Sequence, residues 1–405
     1  MIHGRAHSRT NRESPGRGMT MNRKQSELPQ AQSVDHMRRY LLGAAGGGLA
    51  ATVVGGLFAT APRGTLARDA SAIRWGFVGT GSIANRMASV VQSAPSADLA
   101  AVASRRMESA RAFAEKFGNP KAFDSWADMI AWDGIDAVYV ATPTSVKEEI
   151  CVAAARRGKH VLGEKPFASL ASLQKITAAC RTSGVAFMDG THFVHHPRTA
   201  VIRSNMAEQV GWPWSVDSAF QFGLTDRSNI RFDPDLEPLG AIGDAGWYNM
   251  RAAVEYLSPG IELRSASAYL RRDKETGAAI SGSGVLVFED ESTSTWNCGF
   301  DSGALVMDLR ISGAKGTISV DDFLFQDQDG SATYRYRKGW GPDATESIRI
   351  DSSLTGAALM FEDFAAQIRD SSLRERWMHA SERTQGLLDA VWQQALQNED
   401  ARRSG

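Results

Sequence analysis

The pattern of apolar and polar residues changes near residue 195 and predicts a different type of structure on each side. Between residues 73 and 195, short apolar runs such as Ile73–Val78 and Leu99–Ala103 alternate with segments whose apolar residues recur at helical spacing. The apolar runs predict buried parallel strands, and the segments between them predict helices. This alternation predicts βαβ units, and therefore a doubly wound parallel sheet of the Rossmann type.

From residue 196 onwards, alternating and β-rich runs are separated by turn-forming residues such as Gly282-Ser283-Gly284. These runs predict a mostly antiparallel open sheet with helices on one face. The predicted helices are Gly243–Leu257, which interrupts the strands, and Thr355–Arg369 and Ser381–Gln397, which close the chain. The predicted strands are Ser215–Phe222, Leu263–Leu270, Gly282–Phe288, Thr293–Gly299, Ala304–Ser312 and Gly316–Val320.

A glycine-rich turn joins the first predicted strand to the first predicted helix. Residues 79–84 read Gly-Thr-Gly-Ser-Ile-Ala, the G-x-G-x-x-A form of a dinucleotide-binding loop. Gly79 permits the tight turn, Gly81 leaves room for a pyrophosphate, and Ala84 lets the helix pack closely on the strand. The N–H groups at the helix start, at Ser82 and Ile83, point at the phosphates in such a loop. The alternative is an ordinary strand-to-helix turn.

The end of the second predicted strand indicates which dinucleotide is bound. Sites for NAD usually place Asp or Glu here, where it accepts a hydrogen bond from the ribose 2′-OH. This chain has Ser104, Arg105 and Arg106 instead. A hydroxyl and two guanidinium groups suit a 2′-phosphate, so the segment predicts NADP rather than NAD. The alternative is a solvated basic loop.

Two further motifs carry side chains that suit acid–base chemistry. Glu164-Lys165-Pro166 follows a predicted buried strand, which places Lys165 at the cofactor crevice, and the Lys165–Pro166 bond can be cis. Asp244 and Tyr248 lie four residues apart and share one face of a helix. A tyrosine, with a pKa of about 10, needs a nearby cation to act at neutral pH, and Lys165 is the candidate. The alternatives are a solvated turn lysine, and an N-cap aspartate with a core tyrosine.

Length, composition and charge bound the class of protein. A chain of 405 residues is long enough for two domains, and 43% hydrophobic with 22% charged residues is typical of soluble globular proteins. The net charge of −1 gives no reason to expect nucleic acid or an acidic membrane as a partner. Cys151, Cys180 and Cys298 are odd in number and widely spaced, so they predict small core residues rather than a disulfide framework or a metal site.

Residues 1–72 differ in composition from the rest of the chain. Arg38 and Arg39 precede an uncharged stretch over residues 41–61, which is rich in glycine and alanine and ends in Ala-Thr-Ala. This pattern resembles a twin-arginine export signal and predicts a periplasmic or otherwise exported protein. The alternatives are an uncleaved membrane anchor and a flexible leader on a cytoplasmic protein. Stable membrane association is expected only if the leader is uncleaved.

In combination, the glycine loop, Glu164-Lys165-Pro166 and the Asp244/Tyr248 pair resemble the Gfo/Idh/MocA family of oxidoreductases, over about residues 73–395. With tyrosine rather than histidine at position 248, the chain most resembles the branch of the family that includes glucose–fructose oxidoreductase and dimeric dihydrodiol dehydrogenase. The resemblance implies an NADP-dependent enzyme acting on a CH–OH group of a sugar or polyol. It implies that Lys165 polarises the reacting group, Tyr248 is the general acid–base and Asp244 orients them. The other implied cofactor contacts are Thr142, Pro143, Glu164 and Lys165.

The resemblance also raises candidates for substrate contacts. His192 and His195, with His196, would border the crevice, and metal binding by these histidines is not predicted. Arg227 belongs to segment 223–238, where it, Asn229 and Arg231 either meet substrate hydroxyls or are solvated.

Two further points bear on the family comparison. Many relatives carry histidine where this chain has Lys147, which either contacts the cofactor or faces solvent. The second-domain sheet commonly forms the dimer interface in the family. A homodimer or homotetramer is therefore expected, with Trp296 and Phe300 among the apolar residues of that sheet.

The predicted domains are a leader over 1–72, an NADP-binding Rossmann domain over 73–195 to which the closing helices can return, a substrate and oligomerisation domain over 196–395, and a tail over 396–405. The leading hypothesis is an exported sugar oxidoreductase that keeps NADP bound and alternately oxidises and reduces two substrates. The alternatives are a conventional NADP-dependent sugar or dihydrodiol-type dehydrogenase, and a catalytically silent sugar or dinucleotide sensor on the same fold.

Overall fold

The computed structural model describes residues 71–257, 260–327 and 329–404. Almost all of the predicted leader, including Arg38, Arg39 and the cleavage site at 59–61, lies outside the described residues. Within the described ranges, none of the helices combines the length and apolar composition that a membrane crossing requires. The same ranges contain no group of three or more His, Cys, Asp or Glu side chains arranged to hold a metal ion.

The first sheet has six parallel strands in the order β3-β2-β1-β4-β5-β6. Its strands are β1 (Ile73–Val78), β2 (Ala97–Ala103), β3 (Lys121–Phe123), β4 (Ala137–Val140), β5 (His160–Gly163) and β6 (Phe187–Asp189). Its helices are α1 (Ser82–Val91), α2 (Met107–Lys116), α3 (Trp126–Ala131), α4 (Thr144–Arg156) and α5 (Leu170–Ser183). The strand order reverses between β1 and β4, which is where ligands bind in such sheets. The predicted Rossmann sheet is therefore confirmed.

The second sheet has nine strands, in the order β15-β14-β13-β12-β7-β10-β9-β8, with β11 also paired to β7. All pairs are antiparallel except β7 with β10, so the predicted mostly antiparallel sheet is confirmed. The strands are β7 (Pro213–Gly223), β8 (Leu263–Arg272), β9 (Ala279–Phe288), β10 (Thr293–Gly299), β11 (Asp301–Val306), β12 (Leu309–Gly313), β13 (Thr317–Val320), β14 (Ala332–Arg337) and β15 (Thr345–Ile350).

Five helices belong to the second half of the chain: α6 (Pro197–Gln209), α7 (Gly240–Asp244), α8 (Gly246–Tyr256), α9 (Gly356–Arg369) and α10 (Arg374–Ser404). Helix α9 returns to the first sheet. The Trp75 ring of β1 packs against Phe361 and Phe364 of α9, with ring centroids 5.0 Å and 4.9 Å apart. Burial of these aromatic rings ties the end of the chain to its first strand.

Two predictions about the second sheet are wrong. Gly282-Ser283-Gly284 is not a turn but lies inside β9. A Cβ at Gly282 would lie 2.7 Å from the Ile242 side chain, and one at Gly284 would lie 2.0 Å from the Ser267 carbonyl oxygen, so both glycines permit close packing. The single strand predicted over Ala304–Ser312 is two strands, β11 and β12, which pair with different parts of β7.

Trp296 and Phe300, which were named among the apolar residues of the sheet expected to form the dimer interface, are buried within the chain. The Phe300 ring packs against Phe222 and Phe232, at 5.2 Å and 6.4 Å between centroids.

The helices also differ from their predicted bounds. The helix predicted over Gly243–Leu257 is broken at Ala245 into α7 and α8. Helix α10 is longer than Ser381–Gln397 and continues through most of the predicted tail. Contacts with β8 hold this extension, because Arg272 pairs with Glu399 at 2.9 Å and Asn398 donates to the Ala268 carbonyl oxygen. The three cysteines are buried and free, as expected of small core residues.

Candidate active site

The glycine loop between β1 and α1 is tightly packed at Gly79 and has free space beside Gly81. Gly79 has a φ of +107°, and a Cβ there would lie 2.7 Å from the Ala141 carbonyl oxygen, so only glycine fits the turn. The Asn85 side chain donates to the carbonyl oxygens of Thr80 and Gly81, at 2.9 Å each. A Cβ at Gly81 would meet no atom within 4 Å. This open helix N-terminus fits a pyrophosphate.

The remaining residues of the loop divide by burial. Ala84 is fully buried and lets α1 pack against the sheet, as predicted. Ser82 is exposed and Ile83 half-buried in the first turn, where backbone N–H groups lack helical acceptors. At the end of β2, the Ser104 hydroxyl lies 3.5 Å from that of Thr80, beside the glycine loop.

The two arginines that follow Ser104 lie at the surface. The side chains of Arg105 and Arg106 are exposed at the start of α2, and the Arg106 Nε donates to the Ser109 hydroxyl at 3.2 Å. Their position at the carboxyl end of β2 is where a ribose 2′-phosphate would lie in this type of sheet.

A polar group without a partner lies at the carboxyl end of β4. The hydroxyl of Thr142 is buried and has no hydrogen-bond partner among the described residues. Thr142 neighbours the glycine loop, because a Cβ on Gly79 would lie 3.7 Å from the Thr142 nitrogen. Since buried polar groups are usually hydrogen-bonded, this hydroxyl fits a site that binds a polar ligand. Pro143 follows it and is the N-cap residue of α4.

Glu164, Lys165 and Pro166 follow β5, and the Lys165–Pro166 peptide bond is cis, in agreement with the sequence. Glu164 is buried and accepts a hydrogen bond from the Tyr139 hydroxyl. Burial raises the pKa of Glu164, although Lys165 opposes this effect. Lys165 is therefore not a turn lysine in solvent: its side chain is 8% exposed.

The three predicted catalytic residues meet between the two sheets. The Lys165 Nζ lies 2.6 Å from Asp244 Oδ1, 2.8 Å from the Asp244 carbonyl oxygen and 4.8 Å from the centroid of the Tyr248 ring. Asp244 ends α7 and Tyr248 lies in the first turn of α8. The break at Ala245 therefore puts them on different helices, but both side chains still contact Lys165. This contact places a cation, a carboxylate and a phenol at the crevice.

The charges in this cluster shift one another's pKa. Burial disfavours the ammonium form of Lys165, but Asp244, Tyr248 and Glu164 outweigh it and raise the pKa of Lys165. Burial alone would raise the pKa of Asp244, but Arg231 and Lys165 hold it well below its usual range. Burial raises the pKa of Tyr248 to about 12 even though Lys165 lowers it. The lysine therefore opposes the effect of burial on Tyr248 without reversing it.

Arg231, rather than Arg227, is the arginine of segment 223–238 that reaches this cluster. The Arg231 Nε donates to Asp244 Oδ2 at 2.7 Å. Arg227 lies elsewhere, because it pairs with Asp273 at 2.9 Å and with Glu275 at 3.3 Å. The prediction of Arg227 as a substrate contact is therefore not supported by its position. Asn229 caps the short 3₁₀ helix Ile230–Phe232 and so fixes the backbone of Arg231.

Of the predicted histidines, His192 lies against Tyr248, with ring centroids 5.9 Å apart. Burial lowers the pKa of His192 well below its usual value, so the ring is neutral at neutral pH. His195 instead bonds Asp363 at 2.6 Å and stacks on Trp377, and it therefore packs against the closing helices. His196 bonds the Gly330 carbonyl oxygen at 2.8 Å. These contacts are not with the Lys165, Asp244 and Tyr248 cluster, and the substrate role of His195 stays a prediction.

Sequence reasoning did not single out Arg86, which also reaches the crevice. Its guanidinium carbon lies 5.3 Å from the centroid of the Phe325 ring, and that ring stacks on His192. Burial lowers the pKa of Arg86 to about 10, against the opposing influence of Tyr248 and Glu164. Its place on α1, two residues after Ala84, was the only sequence signal that could have indicated Arg86. Its contacts could not be predicted, because they are with residues distant in sequence.

The comparison with known proteins begins with the first sheet. A family model, GFO_IDH_MocA, described as an oxidoreductase family with an NAD-binding Rossmann fold, matches residues 73–191. D-xylose 1-dehydrogenase (NADP(+)) 2 of Haloferax volcanii is 33% identical over 230 residues, which make up 56% of this chain and 70% of that protein. The chain belongs to the Gfo/Idh/MocA family of oxidoreductases.

Other relatives match more of the chain. The dTDP-3,4-didehydro-2,6-dideoxy-alpha-D-glucose 3-reductase of Streptomyces violaceoruber is 28% identical over 334 residues, 80% of this chain and 96% of that protein. A solved structure of a 3-ketoreductase from Actinomadura kijaniata, in complex with NADP and TDP-benzene, has 25% identity and a TM-score of 0.73. The similarity covers 80% of this chain and 97% of that one, so it includes both sheets.

Lys147 was expected either to contact the cofactor or to face solvent, and the structure excludes the solvent-facing alternative. Its side chain is buried, and its Nζ donates to the Pro166 carbonyl oxygen at 2.5 Å. The Nζ also lies 5.3 Å from the centroid of the Phe167 ring. Burial lowers the pKa of Lys147, with Glu237 and Glu164 opposing. Lys147 therefore contacts the turn that presents Lys165.

Proposed function

We propose that the protein is an NADP-dependent oxidoreductase that interconverts a hydroxyl and a carbonyl group on a sugar or polyol. The observation that carries the proposal is the contact of Lys165 with both Asp244 and Tyr248, beside an open glycine loop. The relatives support the choice of cofactor and substrate class. The Haloferax relative is named as an NADP-dependent xylose dehydrogenase, and the Actinomadura structure holds NADP.

The residues present fit a dinucleotide. The open N-terminus of α1 at Gly81 would hold the pyrophosphate, and the unpartnered hydroxyl of Thr142 would accept or donate one further hydrogen bond. Ser104, Arg105 and Arg106 would contact the 2′-phosphate of NADP. NADP, when bound, supplies or accepts the hydride.

The protein's own residues hold the substrate and move one proton. In oxidation, the substrate hydroxyl gives its proton to the phenolate oxygen of Tyr248 as the carbon loses a hydride. In reduction, the Tyr248 hydroxyl returns that proton to the carbonyl oxygen. The ammonium of Lys165 stabilises negative charge on both oxygens, and Asp244 holds that ammonium in place at 2.6 Å.

We also propose that the protein is exported with NADP bound. The twin-arginine pattern at residues 38–39 supports export, and that route carries folded proteins. Since no free nicotinamide pool is expected outside the cytoplasm, the enzyme would then alternate between oxidising one sugar and reducing another. A homodimer or homotetramer is proposed with it, formed by the sheet face that exposes Tyr269 and Ser283.

The proposed function is tested by absorbance and fluorescence spectra of the full-length protein, purified without added nucleotide. A nicotinamide signal that vanishes with a ketose and returns with an aldose would establish a closed cycle with bound NADP. Turnover that appears only with added NADP would support the oxidoreductase and overturn retained cofactor. Failure to bind or turn over either NADP or NAD, with a panel of aldoses, ketoses and polyols, would overturn the proposed function.

Replacing Arg231 with glutamine should lower kcat/KM about 10- to 100-fold, because a charged hydrogen bond to Asp244 is lost near the reacting atoms. Arg227→Gln is the matched control, since it changes an arginine four residues away that pairs with Asp273. It should leave kcat/KM within about twofold. Steady-state kinetics of both variants measure kcat/KM. Equal losses in both would contradict the proposed role of Arg231 beside the reacting atoms.

A further inference from the structure

Helix α4 begins where three separate segments of the chain meet. Its first residue, Thr144, donates its hydroxyl to Glu237 Oε2 at 2.7 Å and its backbone N–H to Glu237 Oε1 at 3.1 Å. The next N–H, that of Ser145, donates to the Leu236 carbonyl oxygen at 3.3 Å. The carboxylate of Glu237 therefore caps α4 from outside, and it belongs to the same irregular segment as Arg231.

The first helical turn of α4 also contacts the loop that carries Lys165. The Pro166 carbonyl oxygen accepts from the Lys147 ammonium at 2.5 Å and lies 3.4 Å from the Thr144 hydroxyl. Lys147 is 2% exposed, so its charge is stabilised by this carbonyl, the Phe167 ring and the field of Glu237 and Glu164. Hydrogen bonds from a buried ammonium are strong, because water does not compete for them.

Pro166 in turn packs against the helix that carries Asp244. A Cβ on Gly243 would lie 3.0 Å from Pro166 Cγ, so the glycine lets the proline ring approach α7 closely. Asp244 is the next residue, and it binds both Lys165 and Arg231. A displacement of Pro166 would therefore alter the position of the carboxylate as well as that of Lys165.

We propose that the first turn of α4, through Thr144 and Lys147, positions Lys165 and Arg231 around Asp244. The proposal deepens the proposed function, since it concerns the same catalytic residues. Lys147 is a positioning residue that acts through the Pro166 carbonyl oxygen, and Glu237 acts through the segment that bears Arg231. A lysine used in this way needs no contact with the substrate.

The first test is kinetic. Lys147→Met should lower kcat about 10- to 100-fold with less than about threefold change in KM for the sugar, because the reacting groups are misplaced while the pocket persists. Lys147→His, which keeps an N–H donor at this position, should recover most of the loss. The matched control is Lys159→Met, which removes another lysine that donates to a backbone carbonyl, that of Ile135 at 2.8 Å. It should leave kcat and KM unchanged.

The second test does not depend on turnover. Trinitrobenzenesulfonate labelling, followed by peptide mass spectrometry, measures how readily Lys165 is exposed. Labelling of Lys165 should be at least about tenfold faster in Lys147→Met and in Glu237→Gln than in the unmodified protein and in Lys159→Met. Glu237→Gln changes a partly exposed side chain, so it serves as the folded variant if Lys147→Met does not fold.

The outcomes separate the two proposals. Unchanged labelling of Lys165 in both variants would overturn the positioning role, whatever the turnover. Faster labelling in a protein that turns over no sugar would support the positioning role and overturn the proposed function. A double variant of Lys147 and Glu237 should show a smaller loss of kcat than the product of the single losses, because the Thr144 hydroxyl contacts both Glu237 and the Pro166 carbonyl oxygen to which Lys147 donates. Fully multiplicative losses of kcat would contradict the proposal that Lys147 and Glu237 act through the same first turn of α4.

Discussion

Replacement of Tyr248 with phenylalanine should lower kcat about 10²- to 10⁴-fold while the protein stays folded. The change removes only the hydroxyl, which is the group proposed to exchange the proton with the substrate. The ring would keep its contacts with His192, 5.9 Å away, and with Phe220, 5.5 Å away, so packing should change little. Steady-state kinetics with NADP and the best sugar measure the effect, and the melting temperature checks the fold.

Tyr256→Phe is the matched control for this substitution. Tyr256 is also buried on α8, two turns further on, and its hydroxyl meets Thr199 at 3.4 Å rather than Lys165. This variant should retain kcat within about threefold, since it loses one neutral hydrogen bond away from the reacting groups. If Tyr248→Phe retained activity as well as Tyr256→Phe does, the proton would have to be exchanged by another group.

The pH dependence of the two directions follows from the same tyrosine. Because burial raises the pKa of Tyr248 to about 12, the phenolate that accepts a proton in oxidation is scarce at neutral pH. As long as the pH is below that pKa, the phenolate fraction grows about tenfold for each unit by which the pH rises. The value of kcat/KM for oxidation should therefore rise with pH. Reduction uses the protonated form and should not rise. An oxidation rate that is flat from neutral pH to about pH 10 would contradict this role for Tyr248.

The first sheet could be predicted closely from the sequence, because its signals are local. Strand β1 is almost wholly buried, so it appears as an apolar run with no alternation. The turn that follows needs glycine at Gly79 for a φ of +107°, a requirement visible in the sequence itself. The side chains of Ser169 and Thr355 accept hydrogen bonds from the first turns of α5 and α9, which fixes where these helices begin.

The second sheet was harder to predict, because its signals depend on distant partners. Gly282 and Gly284 lie inside a strand, since the space for a Cβ is taken by Ile242 and by the backbone at Ser267. No nearby residue reports this crowding, and two glycines in three residues are typical of a turn. Helix α6 begins at Pro197, just after the predicted domain boundary at residues 195–196, where no helix was predicted.

The candidate site shows the same division. A strand-end motif and a four-residue spacing made Lys165 the candidate cation for Tyr248, and the family resemblance joined both to Asp244. The structure brings the three together. Arg227 and Arg231 could not be told apart, because both lie in an irregular segment with no periodicity. Their difference arises from Asp273, which lies 46 residues from Arg227 in sequence and binds it. The fold and the candidate cluster could thus be predicted from the sequence, whereas the residues around the cluster could be identified only from the structure.

A buried ion pair between the two halves should govern stability more than any surface pair does. Arg251 of α8 donates to Asp189 Oδ2 at 2.8 Å and to Glu255 Oε1 at 2.9 Å, with side chains of Arg251 and Asp189 each 1% exposed. The Ser381 hydroxyl of α10 donates to the same Asp189 oxygen at 2.5 Å. The helix that bears Tyr248 is thereby tied to β6 and to the closing helix.

Arg251→Met should therefore lower the free energy of unfolding by about 3 to 5 kcal/mol, because it leaves the carboxylate of Asp189 buried without its cation. Arg203→Met is the matched control, since Arg203 pairs with the same Glu255 at 3.2 Å from an exposed position. That variant should change the free energy by less than about 1 kcal/mol. Urea unfolding of both variants measures the difference, and similar small losses would show that Asp189 is stabilised by Ser381 and its backbone surroundings rather than by Arg251.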